Sequence, residues 1–150
     1  MFQLIVAVIS IALIAALAIA SIFYGGDAFT KSSEKANVTT LINQGQQIAG
    51  AAALYKTDNA GFPAAIADLN DTSAGAVTYL SNVPEGNKIA QGWTIEGSYA
   101  VIPFVAGASD ETKTSTCAEV LKQKVGVCYT GTTYDVHVGD NTAAGFALAL

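Results

Sequence analysis

The first 26 residues of this 150-residue chain contain no aspartate, glutamate, lysine, arginine or histidine. Within them, residues 4–23 are apolar apart from Ser10 and Ser21. An α-helix of that length is about 30 Å long, which matches the thickness of the hydrocarbon core of a bilayer. Both serines can donate a hydrogen bond to the carbonyl one turn earlier, so neither excludes a helix. The segment therefore predicts a helix that is competent to enter a membrane.

All charged side chains lie between Asp27 and Asp140, and the formal net charge is -5. We therefore divide the chain into a hydrophobic N-terminal helix (1–26) and a polar domain (27–150) that is long enough for one modest core. All seven cations are lysines and none form a basic run, so we expect no nucleic-acid partner through a basic patch. His137 is the only histidine. No catalytic motif is found, and we expect no enzyme activity, no cofactor and no metal.

The hydrophobic segment fits three interpretations. A secretory signal peptide is one, since residues 18–20 read Ala-Ile-Ala, but such peptides carry a basic n-region and no lysine or arginine precedes Lys31. A single-pass membrane anchor is another, oriented only weakly by Lys31 and Lys35. The third is a chain already trimmed of a basic leader, whose apolar N-terminus packs against copies of itself. We favour the third interpretation because of the residues beyond position 26.

Two glycines, Gly25 and Gly26, interrupt the apolar run. Each costs about 1 kcal/mol relative to alanine in a helix interior, so we expect a helix break here, with Asp27 as the N-cap or a first-turn anion of a second part. The alternative is that both glycines only allow close helix packing. Beyond it, apolar residues recur at intervals of three and four, which predicts an amphipathic helix with one face on a core. The stripe consists of Val38, Leu41, Gly45, Ile48, Ala52 and Tyr55. We expect Gly45 to let another backbone approach this face closely.

The amphipathic stretch ends in turn-forming residues, 58–63. We expect the helix to stop near Thr57 and Gly61 to adopt a positive φ. The charge-free N-terminus, the amphipathic extension and the segment 53–63, which reads Ala-Leu-Tyr-Lys-Thr-Asp-Asn-Ala-Gly-Phe-Pro, together resemble the type IV pilin and pseudopilin superfamily. In that family the first helix often ends in a Tyr-Lys-x-Asp-Asn-Gly-x-Tyr-Pro-like segment. Here Ala60 stands where glycine is usual.

The chain departs from the family pattern near its N-terminus. Ile5 stands where most members have a glutamate thought to pair with the N-terminal amine of a neighbouring subunit. We interpret the chain as a divergent or type IVb-like pilin whose tail packs by apolar contact alone, with a hydrogen bond to Gln3 as the alternative. The proline common near position 22 is also absent.

The resemblance implies a structural subunit of an extracellular filament on a bacterial surface, serving adhesion, motility or DNA- or phage-related contact. It also implies prepilin-peptidase processing, an inner-membrane pool, and extrusion by an ATP-driven assembly machinery into a helical homopolymer. The residues expected to pack in the filament core are Leu4, Ile5, Val8, Ile9, Ile11, Leu13 and Leu17. A type II secretion pseudopilin and a single-pass membrane-anchored extracellular binding domain are the alternatives.

The polar domain predicts an α+β fold, in which the long N-terminal helix packs on a C-terminal antiparallel sheet. β-branched and aromatic runs indicate strands at 76–80, 126–129, 133–138 and 146–150. Residues 93–96 and 98–102, on either side of Gly97, are expected to form two strands or one bent strand. A short helix is expected at 114–124, with Val120 and Leu121 facing inward. His137 is expected on the solvent side of its strand.

Cys117 and Cys128 are the only cysteines. They are too few for a zinc site with four ligands and too far apart for a CxxC redox pair. In a processed, exported protein an even pair is interpreted as a disulfide. The resemblance points the same way, because type IV pilins often close a C-terminal loop with one disulfide and major type II secretion pseudopilins usually lack it.

Overall fold

The computed structural model describes residues 2–130, apart from the side chain of Asp27, and residues 143–150. Its elements are α1 (Phe2–Asn59), a 3-10 helix (Ile66–Asn70), β1 (Thr94–Glu96), β2 (Tyr99–Pro103), α2 (Asp110–Gln123), β3 (Val127–Tyr129) and β4 (Gly145–Ala149). The strands form an antiparallel sheet in the order β1-β2-β4-β3. The predicted α+β class is thereby confirmed. Two compact units make up the chain, Met1–Glu34 and Lys35–Leu150, whereas composition places a boundary at the first charge, 26/27.

The hydroxyl groups of Ser10 and Ser21 are paired within α1. Ser10 Oγ donates a hydrogen bond to Val6 O at 2.8 Å. Ser21 Oγ donates in the same way to Leu17 O at 2.9 Å. Because each hydroxyl is satisfied one turn away, neither needs a polar partner from the surroundings. The expected accommodation of both serines in the helix is confirmed.

The helix does not break at Gly25 and Gly26. The backbone is α-helical through both residues, and Thr30 Oγ1 donates to Gly26 O at 3.0 Å. The expected break is wrong, and Asp27 lies inside α1 rather than at a new N-cap. The two glycines weaken the helix locally. Continuing it nevertheless gains a hydrogen bond per residue, whereas stopping and restarting requires a second, unfavourable nucleus.

The amphipathic stripe of α1 forms one wall of the core in the second unit. Four stripe residues have at most 2% of their surface exposed: Val38, Leu41, Ile48 and Ala52. The same cluster includes side chains from alternate strand positions: Ile95, Ala100, Ile102, Cys128, Phe146 and Leu148. Successive strand residues point to opposite faces, so the intervening positions form a second cluster, with Val101, Tyr129 and Ala147 buried. The periodicity therefore predicts the helix face correctly.

Trp93 joins the helix to the sheet. Its ring packs edge-to-face on Phe146 with centroids 5.8 Å apart, and its Nε1 donates to Gln44 Oε1 at 3.3 Å. Gly45 is the next residue of α1, and a Cβ there would be 2.8 Å from Trp93 Cη2 and 2.9 Å from Leu148 Cδ1. The close approach expected at Gly45 is therefore made by two side chains and not by another backbone.

Helix α2 begins at Asp110, earlier than the expected start at 114, because Ser109 caps it. Ser109 Oγ accepts a hydrogen bond from the Thr112 N–H at 3.2 Å. The helix ends where Lys124 takes a left-handed conformation, with φ of 55°, and donates its N–H to Leu121 O at 3.1 Å. Polar caps at both ends thus define an element whose sequence is only weakly amphipathic.

The strand expected at 76–80 is absent. The N–H groups of Tyr79 and Leu80 both donate to Leu69 O, at 3.0 Å and 2.8 Å. This segment is held by the end of the 3-10 helix, so these donors are not available to a neighbouring strand. The other strands expected in the described residues are present to within one residue at each end. The strand expected at 133–138, with His137, lies outside the described residues.

We expect Gly45→Ala to be less stable than Gly50→Ala by about 1–3 kcal/mol, the usual cost of overpacking. Both changes gain about 1 kcal/mol of helix propensity. At Gly45 the added methyl group meets the rigid ring of Trp93, whereas a Cβ at Gly50 meets nothing within 4 Å. Urea unfolding followed by the fluorescence of Trp93, the single tryptophan, measures both variants. Equal stabilities contradict the tight contact.

Candidate assembly surface

The first unit presents a continuous apolar surface. We call the exposed apolar side chains of residues 2–24 the tail surface. Every described residue from 2 to 26 is exposed. The seven residues predicted to pack in a filament core all belong to it, with 54–72% of their surface exposed: Leu4, Ile5, Val8, Ile9, Ile11, Leu13 and Leu17. The chain itself supplies no cover for these side chains among its described residues.

The tail surface surrounds the helix. Leu13 and Ile14 are both more than 60% exposed although they project about 100° apart. A helix that packs on one partner shows a single apolar stripe, and one that is apolar on all sides lies in lipid or inside a larger core. Among the described residues α1 is the helix long and apolar enough to cross a membrane. The tail surface contains no carboxylate, amine, imidazole or thiol, so its chemistry is limited to burial.

The segment that carries the pilin-like resemblance is held at the end of α1 by Tyr79. Its hydroxyl donates to Asp58 Oδ2 at 2.9 Å and accepts from Asn59 Nδ2 at 3.3 Å. The ring of Tyr79 packs edge-to-face on Tyr55, with centroids 5.4 Å apart. Partial burial, together with the hydrogen bond to Asp58, raises the pKa of the Tyr79 hydroxyl above its ordinary value. No local pattern near Tyr79 indicates this contact, and sequence analysis missed it.

The turn after α1 places its left-handed residue one position earlier than expected. Ala60 has φ of 56°, whereas Gly61 is not among the residues with a positive φ. The Nζ of Lys56 lies 4.0 Å from the ring centroid of Phe62. Through this contact, the residue after the turn packs against the end of α1. Ala60, which stands where the similar pilin segment usually has glycine, therefore takes a left-handed conformation at some conformational cost.

Ala60→Gly is expected to stabilise the second unit by about 0.5–1 kcal/mol. Alanine in the left-handed region costs about 1–2 kcal/mol, and the greater freedom of glycine in the unfolded chain offsets part of that gain. Gly61→Ala is the matched control, because a Cβ there meets nothing within 4 Å and φ is not left-handed. Thermal unfolding compares the two variants with wild type. A destabilised Ala60→Gly would exclude strain at this turn.

Cys117 and Cys128 form the predicted disulfide. It ties α2 to β3 across a sequence separation of 11 residues, with the two Cα atoms 5.7 Å apart. Both cysteines are fully buried in the main core cluster, where Phe146 also lies. Cys128 and Phe146 are paired across β3 and β4. The disulfide thus fastens the short edge strand β3 to the core.

Removing the disulfide with Cys117→Ala/Cys128→Ala is expected to reduce the free energy of unfolding by about 2–4 kcal/mol. Thr114→Ala, on the exposed side of the same helix, is the control and is expected to change it by no more than about 0.5 kcal/mol. Urea unfolding measures both. If the double variant matches the control, the disulfide contributes nothing to stability.

The described residues hold no group of three or more histidine, cysteine, aspartate or glutamate side chains that could bind a metal ion. A groove of about 900 Å³ lies along residues 83–88 and 91–93. Its ionisable lining residues, Glu85 and Lys88, do not form an ion pair in the structure. The residues that line this groove do not bring together the nucleophile, base and electrophile that a catalytic site requires.

Comparisons of this chain with protein-family models, with curated proteins and with solved structures found no match. The likeness to type IV pilins therefore depends on the residues of the first 63 positions and on the architecture. That architecture is a long N-terminal helix with an apolar first half, packed through its second half on an antiparallel sheet, with one disulfide.

Proposed function

We propose that this chain is the structural subunit of an extracellular filament of the type IV pilus kind, built by helical assembly of identical copies. The observation that supports it best is the tail surface, which is apolar on all sides and exposed along the whole first half of α1. Such a surface needs several apolar neighbours at once, and a helical homopolymer supplies them from identical tails. Adhesion, motility or surface contact with DNA or phage would then be functions of the assembled fibre.

The energetics of the tail favour two successive environments, first a bilayer and then the core of a filament. In a bilayer the tail surface is already surrounded by hydrocarbon, so little drives one helix toward another. Outside the bilayer the seven predicted core residues would together gain about 10–20 kcal/mol on burial, at about 1.5–3 kcal/mol each. A pool of subunits in the inner membrane, followed by extrusion into a filament, would keep the tail surface in apolar surroundings both before and after assembly. Prepilin peptidase and the assembly machinery are the partners that the resemblance implies for these steps.

The tail would assemble through apolar contact alone. Ile5, at the position of the usual glutamate, exposes 54% of its surface as part of the tail surface. A buried carboxylate without a partner is costly, and an apolar side chain at this position removes the need to pair one. We therefore place the protein among divergent or type IVb-like pilins.

The disulfide supports a pilin over a type II secretion pseudopilin. Cys117 and Cys128 are paired and buried, as suits a domain that folds in an oxidising compartment. A structural role also fits a molecule whose exposed large apolar side chains lie mostly in the tail surface.

A single-pass, membrane-anchored extracellular domain is the second candidate. The length and composition of α1 favour it, because this helix could span a bilayer and remain there. Electron microscopy of material released from cells separates the two candidates. Uniform thin fibres exclude the anchored monomer, and membrane-bound particles without fibres exclude the filament.

Leu13→Asp is expected to abolish fibres, because a carboxylate without a partner in a core of apolar helices costs several kcal/mol. Leu13→Met keeps an apolar side chain of similar volume and is expected to leave fibres intact. Negative-stain electron microscopy counts fibres in both variants, and Trp93 fluorescence shows whether the second unit is folded. Wild-type numbers of fibres from Leu13→Asp contradict burial of the tail.

A further inference from the structure

Aromatic residues mark the two ends of the tail surface. Phe2 lies at one end, Phe23 and Tyr24 lie at the other, and Phe29 follows five residues later, whereas residues 3–22 contain no phenylalanine, tyrosine or tryptophan. All four aromatic side chains are 75–86% exposed, so none is used in packing within the described residues. Aromatic rings concentrate at the boundary between hydrocarbon and headgroups, because they combine an apolar body with a polarisable or polar edge.

The three aromatic residues at the second end surround the helix. We call Phe23, Tyr24 and Phe29 the aromatic collar. At 100° per residue, Tyr24 and Phe29 project about 100° and about 240° away from Phe23. A protein partner on one side would select aromatic residues on one face. A collar distributed over the whole circumference fits a boundary that encloses the helix, as the surface of a bilayer does.

The spacing of the two ends fits a single bilayer. From Phe2 to Tyr24 the helix rises about 33 Å, and the hydrocarbon core is about 30 Å thick. With Phe2 at one boundary, Phe23 and Tyr24 lie at the other, and Phe29, about 8 Å further along the helix, lies in the headgroup region. The hydroxyls of Ser10 and Ser21, which would lie in the hydrocarbon, are already paired with Val6 and Leu17 carbonyls. Among the described side chains of residues 2–24, the other polar groups are those of Gln3 and Tyr24, and each lies close to one boundary, where water and headgroups can bind it.

The residues after the collar's first two rings carry no net charge. Between 27 and 35 the charged residues are Asp27, Lys31, Glu34 and Lys35, two acidic and two basic. A segment held by anionic lipids carries an excess of lysine or arginine, about 1 kcal/mol of attraction for each. This segment has no such excess, so it provides no net attraction to anionic lipid.

We propose that the aromatic collar binds the headgroup boundary of a bilayer and fixes the depth of the tail, with residues 2–24 spanning the hydrocarbon and with no preference for anionic lipid. The partner is a lipid surface of neutral, zwitterionic chemistry. The inference rests on the membrane step of the proposed function and is independent of filament assembly.

The depth is measured by introducing tryptophan at two heights in the full chain. Tyr24→Trp and Leu13→Trp lie about 16 Å apart along the helix. Each is reconstituted into phosphatidylcholine vesicles whose acyl chains are brominated either near the headgroup or near the chain end. Shallow bromines are expected to quench Tyr24→Trp more strongly, and deep bromines are expected to quench Leu13→Trp more strongly. Wild type gives the background from Trp93, which is 3% exposed.

The role of the collar is tested in the Leu13→Trp background. Phe23→Leu/Tyr24→Leu/Phe29→Leu keeps the segment apolar but removes the rings, and we expect the preference for deep bromines to weaken. The matched control, Val6→Leu/Ile14→Leu/Ile19→Leu, changes three residues between the ends and is expected to keep that preference. Equal profiles for the two triple variants overturn the proposal.

Two further outcomes would also overturn it. If neither introduced tryptophan is quenched, or both are quenched alike by each lipid, the tail does not lie at a fixed depth. If replacing part of the phosphatidylcholine with phosphatidylglycerol shifts either profile, lipid charge contributes to the position. These quenching measurements do not depend on fibre formation. The depth result would therefore stand if the filament model failed, and the filament model would stand if the depth result failed.

Discussion

Exclusion of water from the tail surface is the physical constraint on which the other features depend. Residues 2–24 present apolar side chains on every side of a helix whose two serine hydroxyls are paired internally, so the segment gains free energy mainly by leaving water. A bilayer and a core of identical helices both satisfy it. The second unit carries most of the charge and its own core, and it can therefore remain in water whichever apolar environment the tail occupies.

The stability of the second unit is concentrated around its last strand. β4 lies between β2 and β3, and Phe146 is paired with Ile102 on one side and with Cys128 on the other. The disulfide holds β3, and Trp93 contacts Phe146 while its Nε1 is bonded to α1. Because β4 pairs with both β2 and β3, the sheet forms only through contacts between residues that lie far apart in the sequence.

Local sequence patterns predicted most of the helices and strands. Most of the features that these patterns did not predict depend on contacts between residues far apart in the sequence. The spacing from Val38 to Ala52 places a buried face correctly because a helix face is a property of neighbouring residues. The helix break predicted at Gly25 and Gly26 is wrong because helix propensity alone does not include the cost of ending and restarting a helix. Tyr79 reaches Asp58 from 21 residues away. Neither residue is unusual in its local sequence, so nothing short-range could have paired them.

The lack of charge in the tail also bears on how subunits would find their register. Apolar contacts are non-directional, so a tail with Ile5 in place of a carboxylate has no ion pair to fix its axial position against a neighbour. Interlocking of side chains and contacts between second units must then set the register of the proposed filament. Each second unit carries a formal charge of -4, from 10 acidic residues and 6 lysines, which opposes close contact between second units. That repulsion is screened beyond about 8 Å at physiological ionic strength. Added salt would therefore favour the contacts between second units that help to set the register.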